Sequence, residues 1–267
     1  MTVRVLRSWR FLACAALWVP CAALASVGKV SLLQGTATRT PTGGSAVALE
    51  VGAEIELGDT IGVGAGSNLK IVLGDESLLL LGADSSLRID EGKFQGLERR
   101  AFSARLLIGK VWAKVTRAVS GSDAKFEVTT DRAVAGVRGT VFRVDATKLL
   151  SAASSTAPGA KPVPRKGVTS VTTVKVSVGR VAVEAMVRNM AMGATPAPKG
   201  TAPGSGKKPR TLVAGPQEIS KEQWEKKFVE LQQGQAITVG EELWKQAVWS
   251  PDQDKDEFAT FIAEAGR

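Results

Sequence analysis

Between Val27 and Asp145 apolar and polar residues alternate with a period of two, in short runs that glycines interrupt. Val111, Ala113 and Val115 alternate with Trp112, Lys114 and Thr116. Phe126 and Val128 do so with Lys125 and Glu127, and Phe142 and Val144 with Arg143 and Asp145. Successive side chains of a strand point to opposite faces, so each run predicts a half-buried strand. Asn68 to Leu73 and Ser77 to Leu81 flank Gly74, Asp75 and Glu76, a hairpin signal because Gly and Asp tolerate turn geometry. Val174, Val176 and Val178, then Gly179 and Arg180, then Val181 and Val183 predict a further strand pair around a tight turn. Helical periodicity is absent from this part of the chain.

Two internal echoes point to an architecture. The phrase apolar, Gly, Lys or Arg, Val recurs at Val27 to Val30, Ile108 to Val111 and Val178 to Val181. Leu49, Gly52, Ile55, Gly58, Asp59 and Ile61 recur in spacing as Leu231, Gly234, Ile237, Gly240, Glu241 and Leu243. Repetition of this kind suggests stacked, quasi-repeated strand turns. The expected fold is mainly β, a β-roll or short solenoid or else a sandwich of short strands, with a short α-helical C-terminal tail.

The tail changes period. Ser220 and Gln223 form a capping box ahead of Trp224, Phe228 and Leu231 on one helical face, and Ser250 with Pro251 opens a second helix striped by Phe258, Phe261 and Ile262. The expected division is therefore a β-domain over 26–219 and a helical tail over 220–267, with one further strand near 235–239. Two Pro/Ala/Gly-rich inserts, 151–165 and 194–210, read as loops too poor in apolar residues to fold alone.

Charge sharpens this division. The net charge is +3 over residues 1–25, +1 over 26–147, +10 over 148–211 and −5 from Leu212 onward, so the basicity is local to the inserts. Lys207, Lys208 and Arg210 could make weak contact with anionic envelope polymer or lipid, or simply keep a spacer extended. Nucleic acid is not among the expected partners. At the N-terminus, Arg4, Arg7 and Arg10 precede an apolar run from Phe11 to Leu24 that closes on Ala23, Leu24, Ala25. That pattern predicts a signal peptide over 1–25, and hence a periplasmic or secreted mature chain without a membrane span.

Missing residue types narrow the chemistry. The sequence has no His and no Tyr, and Cys14 and Cys21 both lie in the expected signal. Nucleophiles and metal sites built on imidazole or thiolate are therefore ruled out of the mature part. Paired carboxylates could still serve a polysaccharide-active enzyme, but the fourteen Asp and Glu residues between Ser26 and Thr147 are spread singly. No catalytic residue, cofactor or metal is expected.

The most specific stretch runs from Thr129 to Phe142, Thr-Thr-Asp-Arg-Ala-Val-Ala-Gly-Val-Arg-Gly-Thr-Val-Phe. It resembles the signature of the FecR extracytoplasmic domain, a threonine-led turn into Val, Arg, Gly, Thr, any, Phe. The segment from Leu49 and the strand at Val176 to Val183 agree with it, so the resemblance covers about Val27 to Val183. In it Gly136 and Gly139 are expected to supply special backbone angles. Thr140, Phe142 and Val144 should share one face after Val137, and Arg138 should hold the turn by binding carbonyls or a carboxylate, or else contact a partner. Trp112, out of phase with Val111 and Ala113, should face the other side of its strand, under the C-terminal helices or toward a partner.

The family's best-known members are sigma-factor regulators with a cytoplasmic helical domain and a membrane span, neither of which this sequence shows. The resemblance thus implies a non-catalytic binding or scaffold module of the cell envelope, its partner another envelope protein. The alternative it implies is a periplasmic component of cell-surface signalling. One family turn, Asp-Gly-Ser, is altered here to Asp75, Glu76, Ser77.

Overall fold

The computed structural model describes residues 26–116, 125–150, 168–188, 224–240 and 243–266. The expected signal peptide and both inserts lie outside them. The described strands are β1 (Ser26–Gln34), β2 (Ala37–Thr40), β3 (Val47–Ala48), β4 (Glu54–Glu56), β5 (Thr60–Val63), β6 (Asn68–Leu73), β7 (Leu78–Leu81), β8 (Ser86–Gln95) and β9 (Glu98–Lys114). They continue with β10 (Lys125–Thr129), β11 (Ala133–Val137), β12 (Val141–Leu150), β13 (Val168–Val178), β14 (Arg180–Arg188), β15 (Trp224–Gln232), β16 (Gln235–Val239) and β17 (Trp244–Val248). One helix, α1 (Glu257–Ala265), follows. The fold is mainly β with a short C-terminal helix.

The strand pairings form two layers. Layer A runs β4-β1-β6-β7-β9-β12-β13-β16-β17 and layer B runs β3-β2-β5-β8-β9-β10-β11-β14-β15. The chain repeatedly leaves one layer, makes a hairpin in the other and returns beside the strand it left. Thus β10 and β11 pair in layer B while β9 and β12 pair in layer A, and β14 and β15 pair in layer B while β13 and β16 pair in layer A. The echo of Leu49 to Ile61 in Leu231 to Leu243 marks the same step twice. Gly52 (φ 93°) and Gly234 (φ 77°) turn the chain from layer B into Ile55 of β4 and Ile237 of β16.

Strand β9 belongs to both layers, pairing with β10 in layer B through Ala101 to Arg105 and with β12 in layer A through Gly109 to Lys114. The corner is Gly109, with φ +99°. A Cβ there would lie 2.3 Å from Ser85 Oγ and 2.4 Å from Ser85 Cα, so only glycine lets the two chains cross so closely.

Alternation puts one side chain in two between the layers. Phe102, Phe126, Phe142, Val144, Val174, Val183 and Ile237 are buried in one cluster. Phe126 stacks on Phe102 at 4.7 Å and meets Phe142 edge-on at 6.3 Å.

The tail corrects two expectations. Residues 224–232 are strand β15, not a helix, paired along their whole length with β14. Trp224, Phe228 and Leu231 have helical spacing, yet Leu231 points into the core while Phe228 is 68% exposed on the outer face, as alternate positions of an edge strand require. Ser250 and Pro251 open only a single 3-10 turn, Pro251–Gln253, and α1 starts after Asp256, whose side chain accepts the Ala259 N–H. Strand β17 adds to the one tail strand expected near 235–239.

Candidate functional site

The motif turn carries the chain from β11 in layer B to β12 in layer A. Gly139 has φ +59°, whereas Gly136 has no left-handed φ and a Cβ there would come no closer than 3.9 Å to the Ala182 carbonyl oxygen. Gly136 is therefore not demanded by backbone geometry, which corrects that expectation. Thr140 is buried, and its Oγ1 donates to the Arg180 carbonyl at 2.9 Å. The Val115 N–H donates to the Thr140 carbonyl at 2.9 Å. These bonds tie the turn to β9 and to the start of β14. Val137 and Phe142 sit in the core cluster.

Arg138 departs from its expected role as the group that holds the turn. It is exposed, and its guanidinium makes no hydrogen bond or ion pair among the described residues. The surrounding outer face of layer B explains this. Lys93 pairs with Glu91 at 2.7 Å, Lys125 with Glu127 at 2.9 Å and Arg180 with Glu230 at 3.2 Å. Each of these cations thus has an acid one rung inward. On β11 the inward position is Gly136, registered between Glu127 and Ala182, so Arg138 has no acid on its own strand.

The altered turn, by contrast, is sealed. Asp75 is buried, takes hydrogen bonds from the Ser77 N–H (3.1 Å) and Ser77 Oγ (2.8 Å), and pairs with the buried guanidinium of Arg99. Arg99 also lies 5.1 Å from the centroid of Phe126, and burial pulls its pKa down against the opposing pull of Asp75. Glu76 takes the left-handed position with φ 63°, where the family pattern has glycine.

On the outer face of layer A, α1 lies over a second apolar cluster of Leu80, Trp112, Phe258, Phe261 and Ala265, separate from the interior core. Trp112 is 7% exposed beneath the helix, the first of the two places expected for it. The segment before α1 is fastened by charge. Arg143 donates from Nη2 to Asp256 (2.6 Å), from Nη1 to Asp254 (3.2 Å) and from Nε to Asp145 (2.7 Å). Lys175 reaches Asp254 at 2.6 Å and Lys110 reaches Asp256 at 2.7 Å.

These partners oppose the effect of burial on both sides. Burial disfavours charged Arg143, but Asp256 and Asp145 outweigh it and raise its pKa. Burial would raise the Asp256 pKa, but Arg143, Lys110 and the Ala259 N–H hold its carboxyl well below the usual carboxylate range. A cleft of ≈ 470 Å³ beside the helix is lined by Trp112, Arg143, Trp249, Asp254, Thr260 and Ile262.

Of the residues singled out from sequence, the structure gathers Gly136 to Phe142 where the chain passes from layer B to layer A, puts Trp112 beside β12 on the outer face of layer A, and leaves Lys207, Lys208 and Arg210 outside the described residues. The ion cluster of Arg143, Lys175, Asp254 and Asp256 joins positions up to 113 apart in sequence, and no local spacing signals it.

No curated protein matches the sequence. Two crystal structures of a proposed anti-sigma factor from Parabacteroides distasonis ATCC 8503 are among the solved structures that this chain matches. One is 14% identical with a TM-score of 0.41 over 72% of this chain. The other is 13% identical with a TM-score of 0.42 over 77%. This chain covers 60% and 71% of their respective lengths. The family model described as FecR protein matches residues 59–155, from the start of β5 past the end of β12. That span contains the Val137 to Phe142 turn, and it is over these residues that the chain is similar to the FecR family.

Proposed function

We propose that this chain is an exported, non-catalytic binding module of the bacterial cell envelope, which engages another envelope protein through the rim at the FecR motif. The observation that carries the reading is Arg138, an exposed cation without an acid partner among the described residues, held on a turn fixed by Thr140 and Gly139. An arginine on a fixed turn is suited to a carboxylate on a partner, since its planar fork offers two parallel donors and the backbone that carries it needs no ordering. The ion clusters inside the fold support a structural rather than a chemical use of its acids, because Asp75, Asp254 and Asp256 are each neutralised by a cation. The matched FecR stretch favours a second reading in which the same contact serves cell-surface signal transduction.

Site-specific photo-crosslinking in intact cells tests the proposal. A probe at position 138 should capture a discrete protein that a probe at Leu97, an exposed turn residue, does not. Arg138→Glu should abolish a partner's binding while shifting stability by no more than about 0.5 kcal/mol, as expected for a surface change. Identical crosslinks from both probes would contradict the reading.

A further inference from the structure

The helix α1 is seated on the protein in a way that describes a binding groove. Its anchors Phe258, Phe261 and Ala265 recur at i, i+3 and i+7, the pattern by which an amphipathic helix lies in an apolar groove. The floor is Leu80 of β7 and Trp112 of β9, flanked by Leu32, Leu78 and Val141. Phe258 fits because Gly82 leaves room, since a Cβ on Gly82 would lie 2.9 Å from the phenyl ring. Beside the helix start are Arg143, Lys110 and Lys175, held by Asp254 and Asp256 with Asp145 on the sheet side.

None of these anchors enters the space between the layers, so removing the helix would leave the interior core intact. It would uncover an apolar strip with three cations at one end and Asp145 as the remaining acid of the cluster. A nine-residue helix has little stability of its own, so its order depends on this seat.

We propose that this face of layer A is a helix-binding groove, that α1 is its resident and exchangeable occupant, and that the partner it fits is an amphipathic helix preceded by acidic residues. The charge complementarity that now holds Asp254 and Asp256 selects that chemistry over a basic or strand-like partner. The inference extends the proposed binding role to a second surface. It is independent of Arg138, so either surface can fail without the other.

The probe is a fluorescein-labelled peptide of residues 250–266, titrated by anisotropy into the full chain. In the wild type the groove is filled, and the apparent affinity is reduced by the small fraction that is open. The full chain bearing Phe258→Asp and Phe261→Asp has an unseated helix. It should bind the peptide at least about tenfold more tightly than wild type, the factor by which the open fraction rises. Adding Gly82→Val should remove that binding by filling the seat of the phenyl ring. Equal affinity of wild type and the double variant would overturn the proposal, as would binding that survives Gly82→Val. Loss of the cooperative urea transition in the double variant would also overturn it, because α1 would then belong to the core.

Discussion

Phe142 and Phe258 are buried to the same degree, 0% and 3% exposed, in two regions built on different principles. Phe142 lies between two layers that cannot separate without breaking strands, so a lost side chain there leaves a cavity. Phe258 is on the underside of a single helix on an outer face, where the helix can lift away and the loss is capped at the free energy of its seating. The first region is held mainly by apolar packing, with the sealed Arg99–Asp75 pair against Phe126 as its buried charge. The second adds Arg143, Lys175 and Lys110 against Asp254 and Asp256, which makes it sensitive to pH and salt. Equal burial therefore does not mean equal cost.

The largest expected effect breaks the core. Phe142→Ala should lower stability by about 3–5 kcal/mol, seen as a fall in the urea midpoint without a change in slope. Gly109→Ala should cost at least about 2 kcal/mol, since it adds left-handed strain to a clash with Ser85. An unchanged midpoint would mean that the corner between the layers is not fixed.

Acid sharpens the comparison from the other side. The Asp256 pKa is depressed, so its stabilising contribution is complete above the unfolded value of about 4 and is lost as pH falls through the folded value. Acidification from about pH 4 downward should shift tryptophan emission as Trp112 is uncovered, before far-UV circular dichroism reports loss of strands. Simultaneous changes would deny the helix an independent response.

The smallest effect is a gain. Glu76→Gly should stabilise the chain by about 1 kcal/mol by relieving φ 63° at the β6–β7 turn, measured as a higher urea midpoint.

The interior was legible in the sequence because alternation is local. The runs around Phe126, Phe142 and Val174 each become a strand with those residues inward. The stripe of Phe258, Phe261 and Ile262 likewise becomes α1. Residues 224–232 misled because Trp, Phe and Leu at helical spacing also fit an edge strand once β14 supplies a backbone partner, and that partner lies about 40 residues away. The charged fastening was invisible for the same reason, since Lys110 and Asp256 meet across 146 positions. Arg138 was visible as part of a motif, but its freedom depends on Gly136 lying where neighbouring strands carry acids, a fact of register rather than of sequence.

Native-state hydrogen exchange tests most directly the claim that the core and the C-terminal helix are separate units of stability. The amides of α1 should exchange through a local opening, much faster than those of β9 and β12, and Phe258→Ala should accelerate only the helix. Equal protection of α1 and β12, falling together in Phe258→Ala, would show a single cooperative unit and contradict the account.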